Sequence, residues 1–289
     1  MSFARRIWQL YEPLHAVTYF APQARAAFES AGLRGFWRGY FAGRAAPLGA
    51  VRAAPVTALF FTFTPGMVAR ALPDVWQRAS PEQALAARLD GAVEALRAIL
   101  PAEPALCAEA ADLLEAAAAA TVTDGRALGA ANAALPRPAG DLARLWQAAT
   151  VLREHRGDGH ITALVAAGLT GCQALVLRDA LHGGRDQLQP ARGWTDAEWD
   201  ATGRVLAGLG LLDADGRPTA AGQAAHRAVE DRTDALATQP WTVLDTGDRA
   251  RLVQILTPLA HAAGAVIPYP NAVGVPRAGD GAIVTEDRG

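Results

Sequence analysis

Helix start signals followed by regularly spaced leucines are the feature that most constrains the fold of this chain. Ser80-Pro81-Glu82-Gln83 combines an N-cap serine, a proline at the first helical position and a glutamine that can close a capping box. Apolar residues then recur every three or four positions up to Leu100, which predicts a helix with one buried stripe. Thr195 and Glu198 form a second capping box. The sequence therefore predicts a mainly α protein.

The segment after this second capping box indicates a winged helix. The predicted helix ends near Gly208 and is followed by Leu211-Leu212, the acidic turn Asp213-Ala214-Asp215-Gly216 and the pair Arg217-Pro218. A new helix is predicted from Thr219. Helix, short strand, tight turn, short strand and helix is the order of a winged helix, so we expect a short β-hairpin wing here.

The sequence of this segment resembles the wing and following helix of MarR-like regulators; from Gly208 to Val229 it reads GLGLLDADGRPTAAGQAAHRAV. It is also similar to a family of actinobacterial proteins that are labelled helix-turn-helix or MarR-like. The likeness covers roughly residues 141–237. It implies a winged-helix fold and, as a possible function, DNA-binding regulation of transcription.

Charge argues against the DNA-binding function. Residues 141–234 contain ten arginines against thirteen aspartates and glutamates, and the presumed recognition helix carries three acids against the single Arg204. Carboxylates facing phosphates repel them and release no counterions. We therefore expect DNA to be a disfavoured partner.

The absence of lysine excludes two further classes of function. All 27 basic residues are arginine, and the formal net charge is −2. Schiff-base enzymes need a lysine amine, and a phosphate-binding P-loop needs its lysine. Pyridoxal-phosphate catalysis and P-loop nucleotide hydrolysis are thereby excluded.

The chain divides into three predicted parts. A polar, proline-containing passage at 121–140 suggests a boundary between an aromatic-rich helical module, residues 1–135, and a winged-helix-like module, residues 136–265. Prolines in the segment 266–289 predict an extended C-terminal arm that helps to close a cleft, its last dozen residues being disordered.

A short internal match suggests that the two modules are a pseudo-repeat. Residues 31–35 read AGLRG and residues 167–171 read AGLTG, each after a predicted helix. A pseudo-twofold arrangement would place His15 and His155 at equivalent positions. Chance similarity in a chain rich in alanine and glycine is the alternative.

Aromatic residues are concentrated at the start of the chain, where all eight phenylalanines lie within the first 63 residues. Such a concentration predicts either one dense core or the wall of a pocket for a flat apolar ligand. For a ligand between the modules, aromatic groups would supply apolar contact, while two imidazoles and a guanidinium would fix polar groups. These candidates are Tyr19, Trp37, Tyr40, Phe61, His15, Arg38 and His155.

The heptapeptide Glu154–His160 holds two imidazoles, two carboxylates and a guanidinium. His155, Asp158 and His160 could bind a metal, or a histidine could carry a proton. The alternative is helix capping, with His155 and Arg156 at a helix end, Gly157 in a left-handed stop and Asp158 capping the next helix. The sequence identifies no cofactor.

Three functions follow in order of preference. The first is a small-molecule or cofactor-binding protein on a winged-helix-derived scaffold, with the ligand between the modules. The second is a MarR-like transcription regulator, and the third is an enzyme that uses His15 or His155 as acid or base. Two distant cysteines and the lack of a long apolar run predict a cytoplasmic protein without a membrane span.

Overall fold

The computed structural model of this chain describes residues 1–100 and 104–271, together with Val273, Val275 and Arg277. Within them the chain is built from α-helices and 3-10 turns, which confirms the mainly α prediction. The helices are α1 Phe3–Phe20, α2 Pro22–Ser30, α3 Phe36–Ala45, α4 Ala53–Phe60, α5 Pro65–Ala69, α6 Pro81–Ile99, α7 Pro104–Ala119, α8 Ala127–Ala133, α9 Asp141–Ala166, α10 Gly171–His182, α11 Arg185–Arg192, α12 Asp196–Gly208, α13 Ala220–Leu236 and α14 Thr246–Gly264.

Side-chain caps fix where several of these helices begin. Ser80 and Thr195 close the predicted capping boxes of α6 and α12, and Thr170 closes a third box at the start of α10. Thr219 accepts the Gly222 amide at the start of α13. These boundaries follow from local sequence because each cap satisfies orphan backbone donors of its own first turn.

The predicted β-hairpin wing is not formed within the described residues. Leu212 and Pro218 make an isolated antiparallel bridge, and the amide of Asp213 donates to the Arg217 carbonyl at 2.8 Å. The arms on either side of the acidic turn are too short for a ladder, and Pro218 has no N–H to donate. In place of the predicted wing, a tight turn connects α12 to α13.

The predicted helix break at Gly157 is wrong, since α9 runs without interruption through the whole heptapeptide. Asp158 does not begin a new helix; its buried carboxylate accepts the amide N–H of Gly129, in the first turn of α8, at 2.9 Å. Gly159 leaves room for the guanidinium of Arg126, where any Cβ would clash. Close packing against the Arg126 side chain therefore accounts for the glycine at position 159, and neither Gly157 nor Gly159 ends a helix.

The predicted boundary passage 121–140 is also more regular than its composition indicated. It contains α8, whose Leu128 is buried and whose Gly129 lies against the backbone of His155. An apolar core formed by α1, α6, α7, α9 and α14 draws residues from both predicted modules. Two further apolar clusters flank it, one from α2 to α6 and one from the end of α9 to α13.

The two segments of the internal match adopt the same backbone turn. Gly32 has φ +86° and Gly168 has φ +72°, and each is followed by a buried leucine whose amide closes the turn. The Leu33 amide donates to the Phe28 carbonyl at 2.9 Å, and the Leu169 amide donates to the Leu164 carbonyl at 3.1 Å. Both are glycine-dependent helix ends of the Schellman type.

The C-terminal arm packs on the start of the chain. Ile267 and Val275 are buried in a small cluster with Ala16. The predicted disorder of the last dozen residues concerns positions outside the described residues. Among described helices, none alone has the length and hydropathy of a membrane span; α9 and α10 reach them only together and are bent by 95°.

Candidate functional site

A cavity of about 440 Å³ lies between the N-terminal helices and the helices α9 to α13. Its walls come from α1, α3, the end of α4 and the loop after it on one side, and from α9, α10, α11 and α13 on the other. This volume is within the range of small-molecule sites. The two predicted modules therefore enclose a space of the right size for a small organic ligand.

One wall of the cavity is aromatic. Tyr40, Phe60, Phe61 and Phe63 line it, and Tyr40 and Phe63 have ring centroids 5.7 Å apart. These rings continue into the buried cluster that contains Phe41. The same rings therefore belong to the dense aromatic core and line the cavity.

The loop that carries this wall is held by the chain entering α12. Trp194 Nε1 donates to the Thr62 carbonyl at 2.9 Å, and the Thr64 amide donates to the Arg192 carbonyl at 2.9 Å. Phe61 has φ +50°, a value that non-glycine residues rarely adopt. The wall is therefore fixed by contacts from the opposite side of the cavity.

Buried charge surrounds the aromatic wall. Arg44 donates from Nε and Nη2 to the two oxygens of Glu154 at 3.1 and 2.9 Å, and from Nη1 to the Tyr40 hydroxyl at 2.9 Å. Arg153 joins Glu154 at 2.8 Å and Glu12 at 3.3 Å. Burial alone would raise the pKa of Glu154, but Arg153 and Arg44 hold it well below its ordinary value.

A second ionic group closes another part of the cavity. Arg5 lies 2.8 Å from Glu230 and 2.7 Å from Asp234, and Arg156 Nη1 lies 3.0 Å from Asp234 Oδ1. The Arg156 guanidinium also lies over the Trp8 ring, 4.6 Å from its centroid. These arginines are neutralised by carboxylates from α13.

Two further arginines of the cavity have no carboxylate within ion-pair distance among the described residues. Arg192 is 6% exposed, donates from Nε to the Thr62 hydroxyl at 3.1 Å and lies over Phe63, but its Nη1 is buried without a hydrogen-bond partner. Burial and the positive charges of Arg44, Arg178 and Arg153 lower the pKa of Arg192 to about 10. Burial likewise lowers the pKa of Arg178.

The lining as a whole carries more positive than negative groups. Its arginines are Arg5, Arg44, Arg153, Arg156, Arg178 and Arg192, and its carboxylates are Glu12, Glu154, Asp158 and Glu230. Burial raises the pKa of Asp158 to about 6, which weakens its negative charge further. Asp234 lies behind the lining and pairs with Arg5 and Arg156, which leaves six arginines against five carboxylates, so the cavity is electropositive although the chain is not.

His15 lies in the core beside the cavity and does not line it. Its Nδ1 is 2.9 Å from the Thr150 hydroxyl and its Nε2 is 2.8 Å from the Tyr19 hydroxyl. Because Thr150 donates its own hydrogen to the Trp146 carbonyl, His15 donates from Nδ1 and accepts at Nε2. Burial and Arg153 hold its pKa well below its ordinary value, so the imidazole is neutral and fully bonded.

The heptapeptide histidines and Asp158 point to different partners. The His155 ring bonds to the backbone of Val122, Asp158 bonds to Gly129, and His160 Nδ1 lies 3.0 Å from the Thr233 hydroxyl. Burial lowers the pKa of His155 to about 4. The structure does not bring His15 and His155 together, and no group of three metal-ligating side chains exists among the described residues.

Asp158 makes a pH prediction possible. Its pKa rises from 3.8 to about 6 on folding, so between those values the folded protein keeps a proton that the unfolded chain has lost. Its contribution to stability therefore falls by about 1.4 kcal/mol per pH unit as the pH rises. Asp158→Asn has no proton to lose, and its amide oxygen can still accept the Gly129 N–H.

We expect Asp158→Asn to gain stability relative to the wild type as the pH rises through this window. Urea unfolding of both proteins at several pH values between those two pKa values measures the difference. A difference that stays constant with pH would contradict the prediction, because every other titrating group is common to both proteins.

The other predicted ligand-contact residues divide among three places. Tyr40 and Phe61 line the main cavity. Trp37 and Arg38 border a smaller surface pocket of about 230 Å³ on the outer side of α3, together with Arg34 and Arg70. Tyr19 is partly buried and packs against Tyr40 and His15, with ring centroids 5.1 and 5.2 Å away.

Sequence reasoning missed the arginines that dominate the cavity. Arg153, Arg156 and Arg192 are at most about one-seventh exposed. No local signal in the sequence marks them, because their burial depends on helices from distant parts of the chain that pack around the cavity.

The presumed DNA-facing surface keeps its acidic character in three dimensions. On α12, Asp196 and Asp200 are exposed and share Arg185 as their ion-pair partner at 2.9 Å each. In the turn after α12, Arg217 pairs with Asp215 at 2.8 Å. Arg204 is exposed and is the one arginine of this helix, so acidic residues outnumber basic ones on α12.

Comparison with known proteins gives one match. The model of a helix-turn-helix family matches residues 4–270, nearly the whole chain. The searches of curated proteins and of solved structures found no match.

Proposed function

Because this chain belongs to that helix-turn-helix family, and because a polar-lined cavity opens between its helices, we propose that it is a small-molecule-binding protein on a helix-turn-helix scaffold. The observation that carries the proposal is the electropositive cavity with one aromatic wall. A scaffold does not fix a function, so the proposal depends on the site and not on the family.

Burial of so many charges in one place supports a binding role. Each buried ion loses hydration, and ion pairs restore only part of that loss. A core made for stability alone would place apolar side chains here. The free-energy cost of burying these charges is explained if the cavity must recognise the polar part of a ligand while its aromatic wall contacts the apolar part.

The proposal predicts a ligand-dependent rise in thermal stability. A ligand that binds only the folded protein at 100 times its Kd stabilises it by about 2.7 kcal/mol, which raises the Tm by several degrees. Native mass spectrometry of the freshly purified protein and a thermal-shift screen against a metabolite panel measure binding.

A cavity-filling variant provides the matched control. Ala174 lines the cavity on α10, whereas Ala197 is exposed on α12. Ala174→Phe should abolish both the bound mass and the shift, while Ala197→Phe should leave both unchanged. The proposal fails if the wild type carries no adduct and no panel member raises its Tm.

A MarR-like DNA-binding regulator is the second candidate, favoured by membership of the helix-turn-helix family. A gel-shift assay at low salt with the DNA upstream of its own gene tests it. If α12 reads DNA, Arg204→Ala should weaken the complex, because Arg204 is the one arginine of that helix. Absence of a shift at low salt removes this candidate.

A further inference from the structure

We propose that the ligand of the cavity is an organic anion whose acidic group binds Arg178 and Arg192 and whose apolar body lies against the aromatic wall. This inference rests on the proposed function and adds the chemical class of the ligand. The acidic group is a carboxylate, sulfonate or phosphate, all of which offer oxygens to guanidinium groups.

The first observation is the unsatisfied donor of Arg192. Its Nη1 is buried and has no partner, although Nε bonds to Thr62. A buried donor without a partner costs free energy, and the cost is larger for a charged group. An anionic oxygen inside the cavity would satisfy this donor, since Arg192 lines the cavity.

The second observation is the unequal pairing of charge. The carboxylates Glu12, Glu154 and Glu230 are engaged by Arg153, Arg44 and Arg5. Arg178 and Arg192 have no carboxylate within ion-pair distance in the described part of the chain. Glu230 and Asp179 act on Arg178 from farther away, and Arg178 acts on Arg192 as a like charge. An added anion would relieve this repulsion, whereas a cation would increase it.

The third observation is the apolar surface next to these arginines. Arg192 lies 4.4 Å from the centroid of Phe63, and Phe61 lines the same space. Leu164, Leu169 and Leu175 border it from α9 and α10. An acidic group alone would leave this surface and most of the volume without contacts, so the ligand carries an aromatic or aliphatic body.

Two fluorescent probes with the same rings separate the two parts of this recognition. 8-Anilinonaphthalene-1-sulfonate is an aromatic anion, and N-phenyl-1-naphthylamine is the same molecule without the sulfonate. Titration of the folded protein with each probe gives the affinity and the stoichiometry. We expect one site for the sulfonate, bound at least about tenfold more tightly than the neutral amine.

Variants of the two arginines test whether these side chains cause the tighter binding of the sulfonate. Arg192→Gln and Arg178→Gln should each weaken sulfonate binding by roughly tenfold and change binding of the neutral amine by less than about twofold. Arg204→Gln, an exposed arginine outside the cavity, is the matched control and should change neither. Cooperative thermal unfolding of each variant verifies that it is folded, and Arg178→Gln decides the question if Arg192→Gln does not fold.

The outcomes separate this inference from the proposed function. The inference of an anionic ligand is wrong if both probes bind with equal affinity, or if neither arginine variant weakens sulfonate binding. The proposed binding function would stand in either case. If neither probe binds with a defined stoichiometry and the metabolite panel is also silent, the binding function itself fails and the anion with it.

Discussion

Glu154→Gln is expected to lower the free energy of unfolding by about 3–5 kcal/mol, the largest loss for any single polar substitution in this protein. Glu154 is 2% exposed and binds both Arg44 and Arg153. The substitution removes the negative charge between two buried guanidinium groups and replaces the oxygen that accepts from Arg44 Nη2 by an NH2 group that cannot accept. Differential scanning calorimetry should show a Tm lower by about 10 °C.

The matched control for this substitution is Glu94→Gln. Glu94 pairs with Arg97 at 2.7 Å, but both side chains are more than 60% exposed. Exposed ion pairs contribute little, so a change within about 0.5 kcal/mol is expected. If Glu154→Gln and Glu94→Gln lowered the free energy of unfolding by similar amounts, the prediction would be wrong, because the ion pairs of Glu154 would then behave as solvent-exposed ones.

Gly171→Ala is expected to destabilise the protein by about 3 kcal/mol or more, or to displace the wall of the cavity. Gly171 is the first residue of α10, and an added Cβ would overlap the carbonyl oxygen of Phe61. The obstacle is backbone, and the loop that carries it is bonded to Trp194 and Arg192. The cavity wall cannot yield without breaking these bonds.

Gly203→Ala should have the opposite sign. Gly203 lies inside α12, where an added Cβ meets nothing within 4 Å. Removing a helical glycine there should raise the free energy of unfolding by about 0.5–1 kcal/mol. Urea unfolding of both variants compares them directly, and two changes of the same sign would contradict the packing described for Gly171.

The helices were predictable where their signals are local. Ser80 and Thr195 cap α6 and α12 as expected because a cap involves only the first turn of its own helix. Gly157 misled the same reasoning, since a glycine that ends a helix and a glycine inside one read alike in sequence. The continuity of α9 depends on Gly129 and Arg126, which approach it from other parts of the chain.

The cavity was predictable in its aromatic half only. The clustering of phenylalanines in the first 63 residues is visible in sequence, and Tyr40 and Phe61 do line the cavity. The ionic half joins Arg44 to Glu154 across 110 positions. No periodicity or spacing signals such a pair, because it exists only once α3 and α9 are packed beside the same space.

Four consecutive residues serve the cavity and the acidic outer helix at once. Arg192 lines the cavity, Gly193 fits against Thr64, Trp194 holds the aromatic loop and Thr195 caps α12. Because these four residues are held on both sides, a change that widened the cavity at Arg192 would also displace the start of α12.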